Sequence, residues 1–180
     1  MNYSISLFNS INPLFFACLA VIVILLAKAV YTYKNFDTLH GKAIRELVLG
    51  GLCLIFVLVV FIVLPLLAGI TVNENDLALR LPSGLINETI SQDDIISAQI
   101  VNLNDYPELA IKSKVVGAES RDYREGVFNL ENGTEATVFY DSNTVLLVET
   151  TNRTLLLGPD HFDDFVKAFG EKLIPIQSSI

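Results

Sequence analysis

The 180-residue chain is 52% hydrophobic and 18% charged, with a formal net charge of −8 and a mean hydropathy of +0.50. Charged residues make up about 25% of an ordinary soluble domain, so the chain is too apolar to be soluble throughout. The acidity, which lies in residues 71–180, argues against nucleic acid as that part's partner, since nucleic acid is bound by neutralising phosphates, and disfavours a general anionic lipid surface.

The charge is unevenly spread. Residues 1–70 carry a net charge of +2 and residues 71–180 a net of −10. Asn12-Pro13 resembles a helix start, with proline at the first helical position. The apolar run Leu14 to Ala27 continues through Lys28 to Tyr31 and Tyr33. With Lys28 extending its ammonium to the interface and the tyrosines at headgroup level, this predicts a first membrane helix over about 13–33. A cleaved secretory signal would need basic residues before the apolar run, and here the lysines follow it.

Residues 34–46 form a short basic loop containing Lys34, Lys42 and Arg45. Lys28 lies just before it, residues 1–27 have no Lys or Arg, and the first after Ile70 is Arg80. Short Lys/Arg-rich loops stay in the cytoplasm. The expected protein is therefore a multi-pass cell-membrane protein, with the loop inside and residues 71–180 extracytoplasmic. Asp37 and Thr38 are candidate caps for an extension of the second helix, and His40 reads as a solvated loop residue.

Leu47 to Ile70 is uncharged over 24 residues, about 36 Å as a helix at ~1.5 Å per residue. A bilayer core is about 30 Å thick, so this is the second span. Gly50, Gly51 and Ala68 are small enough to mark a helix–helix face, and Pro65 interrupts the run. Neither span has an ionisable residue at its centre, which argues against an ion or proton path. Cys18 and Cys53 sit among apolar neighbours and read as inert.

After Gly69 the pattern turns to short β runs. Strands are expected at Asp76–Leu81, then, past the turn Pro82-Ser83-Gly84, at Leu85–Ile90. A polar turn at Ser91–Asp94 leads to another at Ile95–Leu103. Residues 104–124 read as irregular, with a loop or weak strand around Ile111–Val116. Gly126–Leu130 and Glu135–Tyr140 flank Asn132-Gly133, a strong hairpin signal. Thr144–Thr150 and Arg153–Leu157 continue what reads as a meander. Phe162, Phe165, Val166, Phe169 and Leu173 then fall on one helical stripe. Gly158-Pro159 precedes that helix, Asp160 is its expected N-cap, and Pro175 ends it.

The stretch Tyr123-Arg124-Glu125-Gly126-Val127-Phe128-Asn129-Leu130, the hairpin after it, Val145–Thr150, and Gly158-Pro159-Asp160 with Phe165 resemble the bacterial pleckstrin-homology-like (PH-like) family. That resemblance implies a partly open β-barrel of about seven strands capped by a C-terminal amphipathic helix, following a two-helix hairpin. The domains are then 1–70, the hairpin, and 71–180, the PH-like domain. It implies no enzyme and no defined ligand. Tyr123, Gly126, Phe128 and Leu130 read as fold determinants, the glycine allowing close approach or a bulge.

Chemistry is sparse. His161, beside Asp160 and Asp163, is a remote basis for a small hydrolase, since polar residues in a first turn usually cap it. Asp93-Asp94 and Asp163-Asp164 are adjacent and point apart. No set of residues has metal-ligand spacing, and no phosphate loop is present, so no cofactor is expected. The basic residues Lys112, Lys114, Arg121 and Arg124 are the candidate contact for an anion or partner. They are interleaved with Glu119, Asp122 and Glu125, as a solvated loop would be. Asn87, Asn132 and Asn152 head Asn-x-Ser/Thr sequons, relevant only in a glycosylating host. The expected function is a non-enzymatic protein- or peptide-binding or self-assembly module. The alternative is a cytoplasmic lipid- or membrane-surface sensor.

Overall fold

The computed structural model describes residues 2–5, 13–81 and 86–177. They fall into two compact units, Ile11–Leu64 and Met1–Ser10 with Pro65–Ile180.

The first unit is a helical hairpin. Helix α1 spans Pro13–Asn35, a 3-10 turn follows at Asp37–Leu39, and α2 spans His40–Leu58. The second helix continues through a π turn, Val59–Val63, into a last α turn, Leu64–Leu67. Pro65 has no N–H to complete an α-helical bond, and the wider π turn lies one turn before it. Only 17% and 6% of the two apolar windows is buried, unlike the core helices of a soluble protein. Both helices are long and apolar enough to cross a membrane.

Several expectations are corrected here. The second helix starts at His40 rather than Leu47, and it ends at Leu67, because Gly69 and Ile70 belong to a strand. His40 is not a free loop residue: it opens α2 and its ring stacks on Tyr33 at 4.5 Å. Of the three small residues, only Gly50 faces α1, where a Cβ would sit 2.6 Å from Leu26 Cδ2. A Cβ on Gly51 would meet nothing within 4 Å, and Ala68 is buried in the β domain. Leu39 occupies the N-cap of α2 without a side-chain bond. Asn12, the turn Pro82-Ser83-Gly84, Leu85 and the Asp37 side chain lie outside the described residues.

The second unit contains ten strands among the described residues, where about seven were expected. A four-stranded antiparallel sheet has the order β1 (Asn2–Tyr3), β2 (Gly69–Val72), β3 (Asp76–Leu81), β4 (Ile86–Ser91). Tyr3 pairs with Ile70 and Asn2 with Thr71, so chain segments on either side of the helical hairpin share one sheet.

The remaining strands are β5 (Ile95–Asn102), β6 (Ile111–Ser120), β7 (Tyr123–Leu130), β8 (Glu135–Tyr140), β9 (Thr144–Thr150) and β10 (Thr154–Gly158). They form a six-stranded sheet in the order β5-β9-β10-β8-β7-β6. This is not the expected meander. β10 inserts between β9 and β8, antiparallel to the first and parallel to the second. The cause lies in its Leu-Leu-Leu run: Leu155 and Leu157 face one core and Leu156 the other. A strand apolar on both faces belongs in a sheet interior.

The first core lies among the two sheets and helix α3 (Phe162–Lys172), and includes Leu77, Leu79, Phe139, Leu155, Phe165 and Phe169. Phe165 and Phe169 are fully buried, as the helical stripe predicts. Burial of each such ring contributes roughly 1.5–3 kcal/mol. The second core, on the opposite face of the six-stranded sheet, joins Phe128, Leu130, Val138 and Leu147 to Leu103, Tyr106 and Leu109. Asp160 is not the helix cap. His161 takes that position with φ 55 and makes no side-chain cap bond, while the Asp160 N–H donates to the Ser4 carbonyl at 2.9 Å.

Candidate interaction surface

The four predicted cations all fall on one hairpin, β6–β7. Strand β6, expected to be a loop or weak strand, is ten residues long and forms an edge of the six-stranded sheet. Its register with β7 shifts twice, between Ile111 and Ser113 and between Lys114 and Val116. Lys112 and Val115 therefore have no β7 partner in register. Such bulges add twist and bend the strand.

Further along, Gly117 lies directly opposite Gly126, with φ of 141° and 126°. A Cβ on Gly126 would overlap the Val116 carbonyl and sit 2.5 Å from Gly117 Cα. The two backbones cross where only glycine fits. The expected role of Gly126 in close approach is observed, and its partner glycine was not anticipated.

The hairpin turns at Arg121 (φ 53) and Asp122, and Arg124 Nη1 donates to the Arg121 carbonyl at 2.8 Å. Arg124 sits opposite Glu119. Nine residue-to-residue steps of extended chain, roughly 30 Å at ~3.3 Å each, lead from Lys112 to Arg121. The cations thus form a lysine pair at one end and an arginine pair at the turn, with Glu119 between them in sequence. They do not converge on one point.

Beneath this hairpin lies a feature the sequence did not signal. The Tyr123 hydroxyl donates to the Glu125 carboxylate, and both residues are buried. Burial, reinforced by Glu125 and to a smaller extent by Asp141, raises the Tyr123 phenol far above its ordinary value of 10.0. Burial also raises Tyr140, partly offset by Arg124. Both phenols stay protonated through the physiological range, and Tyr123 acts as a structural donor to Glu125.

His161 is exposed and lines a polar groove of about 620 Å³ with Asn2, Ser4, Asp160, Asp164 and Lys167. No hydrogen bond joins the Ser4 hydroxyl, the imidazole and a carboxylate among the described residues, so no nucleophile–base pair is formed. No group of three potential metal ligands occurs there either. In the helical unit, a groove of about 860 Å³ between α1 and α2 is lined by apolar residues, with Lys28 and Glu46 as its charged members.

A four-stranded and a six-stranded sheet sharing a core with a C-terminal helix define a PH-like β domain. The sequence matches the bacterial PH domain family over residues 68–173, more than half the chain, and the match ends where α3 ends. The chain belongs to the bacterial PH domain family. Such domains are generally non-catalytic, and no enzymatic family matches. No curated protein and no solved structure matches the chain.

Proposed function

We propose that this is a two-span membrane protein whose bacterial PH domain faces away from the cytoplasm and acts, without catalysis, by binding a protein or peptide partner or a second copy of itself. The observation that carries the reading is the pairing of β1 with β2. Residues 2–5 and 69–72 share one folded unit, so the chain between them must cross a bilayer an even number of times. Two apolar helices lie between them. Their connection carries Lys34, Lys42 and Arg45, which favours the cytoplasm for the loop and the opposite side for the domain. Lone helix insertion would tear Tyr3 from its core.

The alternative, a lipid sensor on the cytoplasmic side, needs convergent cations. The separation of Lys112 and Lys114 from Arg121 and Arg124 disfavours it. Limited proteolysis of intact cells and of inverted vesicles tests the orientation. The domain is expected to be digested in cells and protected in vesicles; the reverse pattern refutes the proposal.

A further inference from the structure

We infer that the outer edge of β6 is a homodimer interface, closed by antiparallel pairing with β6 of a second copy. This rests on the self-assembly branch of the proposed function and names its surface. An edge strand presents unpaired N–H and C=O groups that template another strand. The six-stranded sheet has two edges. At β5 the Gln177 N–H donates to the Ala98 carbonyl at 2.8 Å, and Gln177 bridges Gln99, so the C-terminal segment covers part of that edge. At β6 no strand other than β7 pairs among the described residues.

Apolar exposure points to the same strand. From residue 68 onward, three large hydrophobic residues are exposed among those described: Ile96, Val115 at 52% and Val116 at 41%. Two of the three are adjacent on β6.

The sequence of β6 fits itself. An antiparallel pair centred between Val115 and Val116 sets Val115 opposite Val116, Lys114 opposite Gly117 and Lys112 opposite Glu119. The two-fold axis repeats each match, as an isologous interface requires. Both Lys–Glu pairs are attractive, and the lysine flanking the axis faces a residue with no side chain. An acidic peptide would satisfy the lysines and leave Glu119 facing like charge. Lysines and bulges usually protect an edge; here one of the lysines finds its counter-charge on the same strand of a second copy. Confinement to a membrane raises the effective concentration of the copies.

Sedimentation of the full chain in detergent tests this. The native chain is expected to dimerise. Lys112→Glu and Glu119→Lys each replace two attractive cross-strand pairs by two repulsive ones and should weaken the dimer by about tenfold or more. The double variant restores opposite charges and should return to within about threefold of the native chain. Glu119 also faces Arg124 in its own sheet, so thermal midpoints are followed in parallel; Lys112 has no such neighbour in register. A native chain that stays monomeric overturns the inference. So does a dimer indifferent to either reversal, or one that the double variant does not restore. None of these outcomes bears on membrane orientation, which the proteolysis experiment reads independently.

Discussion

Replacing Gly126 by alanine tests how far the fold depends on the β6–β7 crossing. Two costs add. A non-glycine residue held at φ 126 carries strain of about 1–3 kcal/mol. The new methyl meets backbone, not a flexible side chain: the Val116 carbonyl and, at 2.5 Å, Gly117 Cα. Pushing the strands apart costs about 1–3 kcal/mol more, as overpacking does. A total of about 4 kcal/mol is a large share of the roughly 5–15 kcal/mol that holds a domain folded. For a domain of this size it corresponds to a fall of roughly 15–30 °C in the thermal midpoint. The chain has no tryptophan, so near-UV circular dichroism of its tyrosines is the assay, with buried Tyr123 reporting from β7 itself. Gly133→Ala is the control: its φ is also positive, at 83, but nothing lies within 4 Å of its added methyl. It should cost only the backbone strain. A Gly126→Ala protein as stable as the native chain, or no less stable than Gly133→Ala, would refute the reasoning.

Three further outcomes follow from the packing. Tyr3→Ala removes a buried ring that stands edge-on to Phe165 at 5.4 Å and donates to the Asp164 carbonyl at 3.2 Å; it should cost about 3–5 kcal/mol and expose residues 2–5 to protease. Phe165→Ala, in the same core, should cost a similar amount, measured as a shift in the urea midpoint. The two raised phenols predict alkaline sensitivity with a definite sign. Their protonated forms persist in the folded state while the unfolded phenols ionise near 10.0, so their contribution is intact below pH 10 and is lost as pH rises above it. The slope is about 1.4 kcal/mol per pH unit for Tyr123, and Tyr140 adds to it in the same direction. Urea midpoints at pH 9 and 11 should diverge in the native chain and diverge less in Tyr123→Phe; an unchanged divergence would contradict the assignment.

The parts of the fold that were legible in the sequence are those with a single periodic cause. The two apolar runs and the Phe162–Leu173 stripe each declare a helix, and Asn132-Gly133 declares a hairpin. There the Asn132 side-chain oxygen accepts from the Thr134 N–H at 2.9 Å. What failed needed knowledge of partners. β10 inserts between its neighbours because Leu155–Leu157 is apolar on both faces, a signal present in the sequence but compatible with several strand orders. β1 is two residues long and owes its existence to β2, nearly seventy residues away. Strand β6 was obscured because its bulges break the two-residue alternation by which strands are read. The basic residues were visible, but only the extended backbone reveals the length that separates them. Glu125 reads as a surface charge until Tyr123 is seen beside it.

The central claim is that the hairpin crosses a membrane twice and sets the PH domain outside. Single cysteines in a chain lacking Cys18 and Cys53 test it most directly, with a membrane-impermeant maleimide applied to intact cells. Ser4→Cys, before the first helix, and Asn132→Cys, in the exposed β7–β8 turn, should both label; Thr38→Cys, in the basic loop, should label only after lysis. Labelling of Thr38→Cys in intact cells with the other two protected would reverse the orientation. Ser4→Cys and Asn132→Cys labelling from opposite sides would contradict the shared sheet on which the account stands.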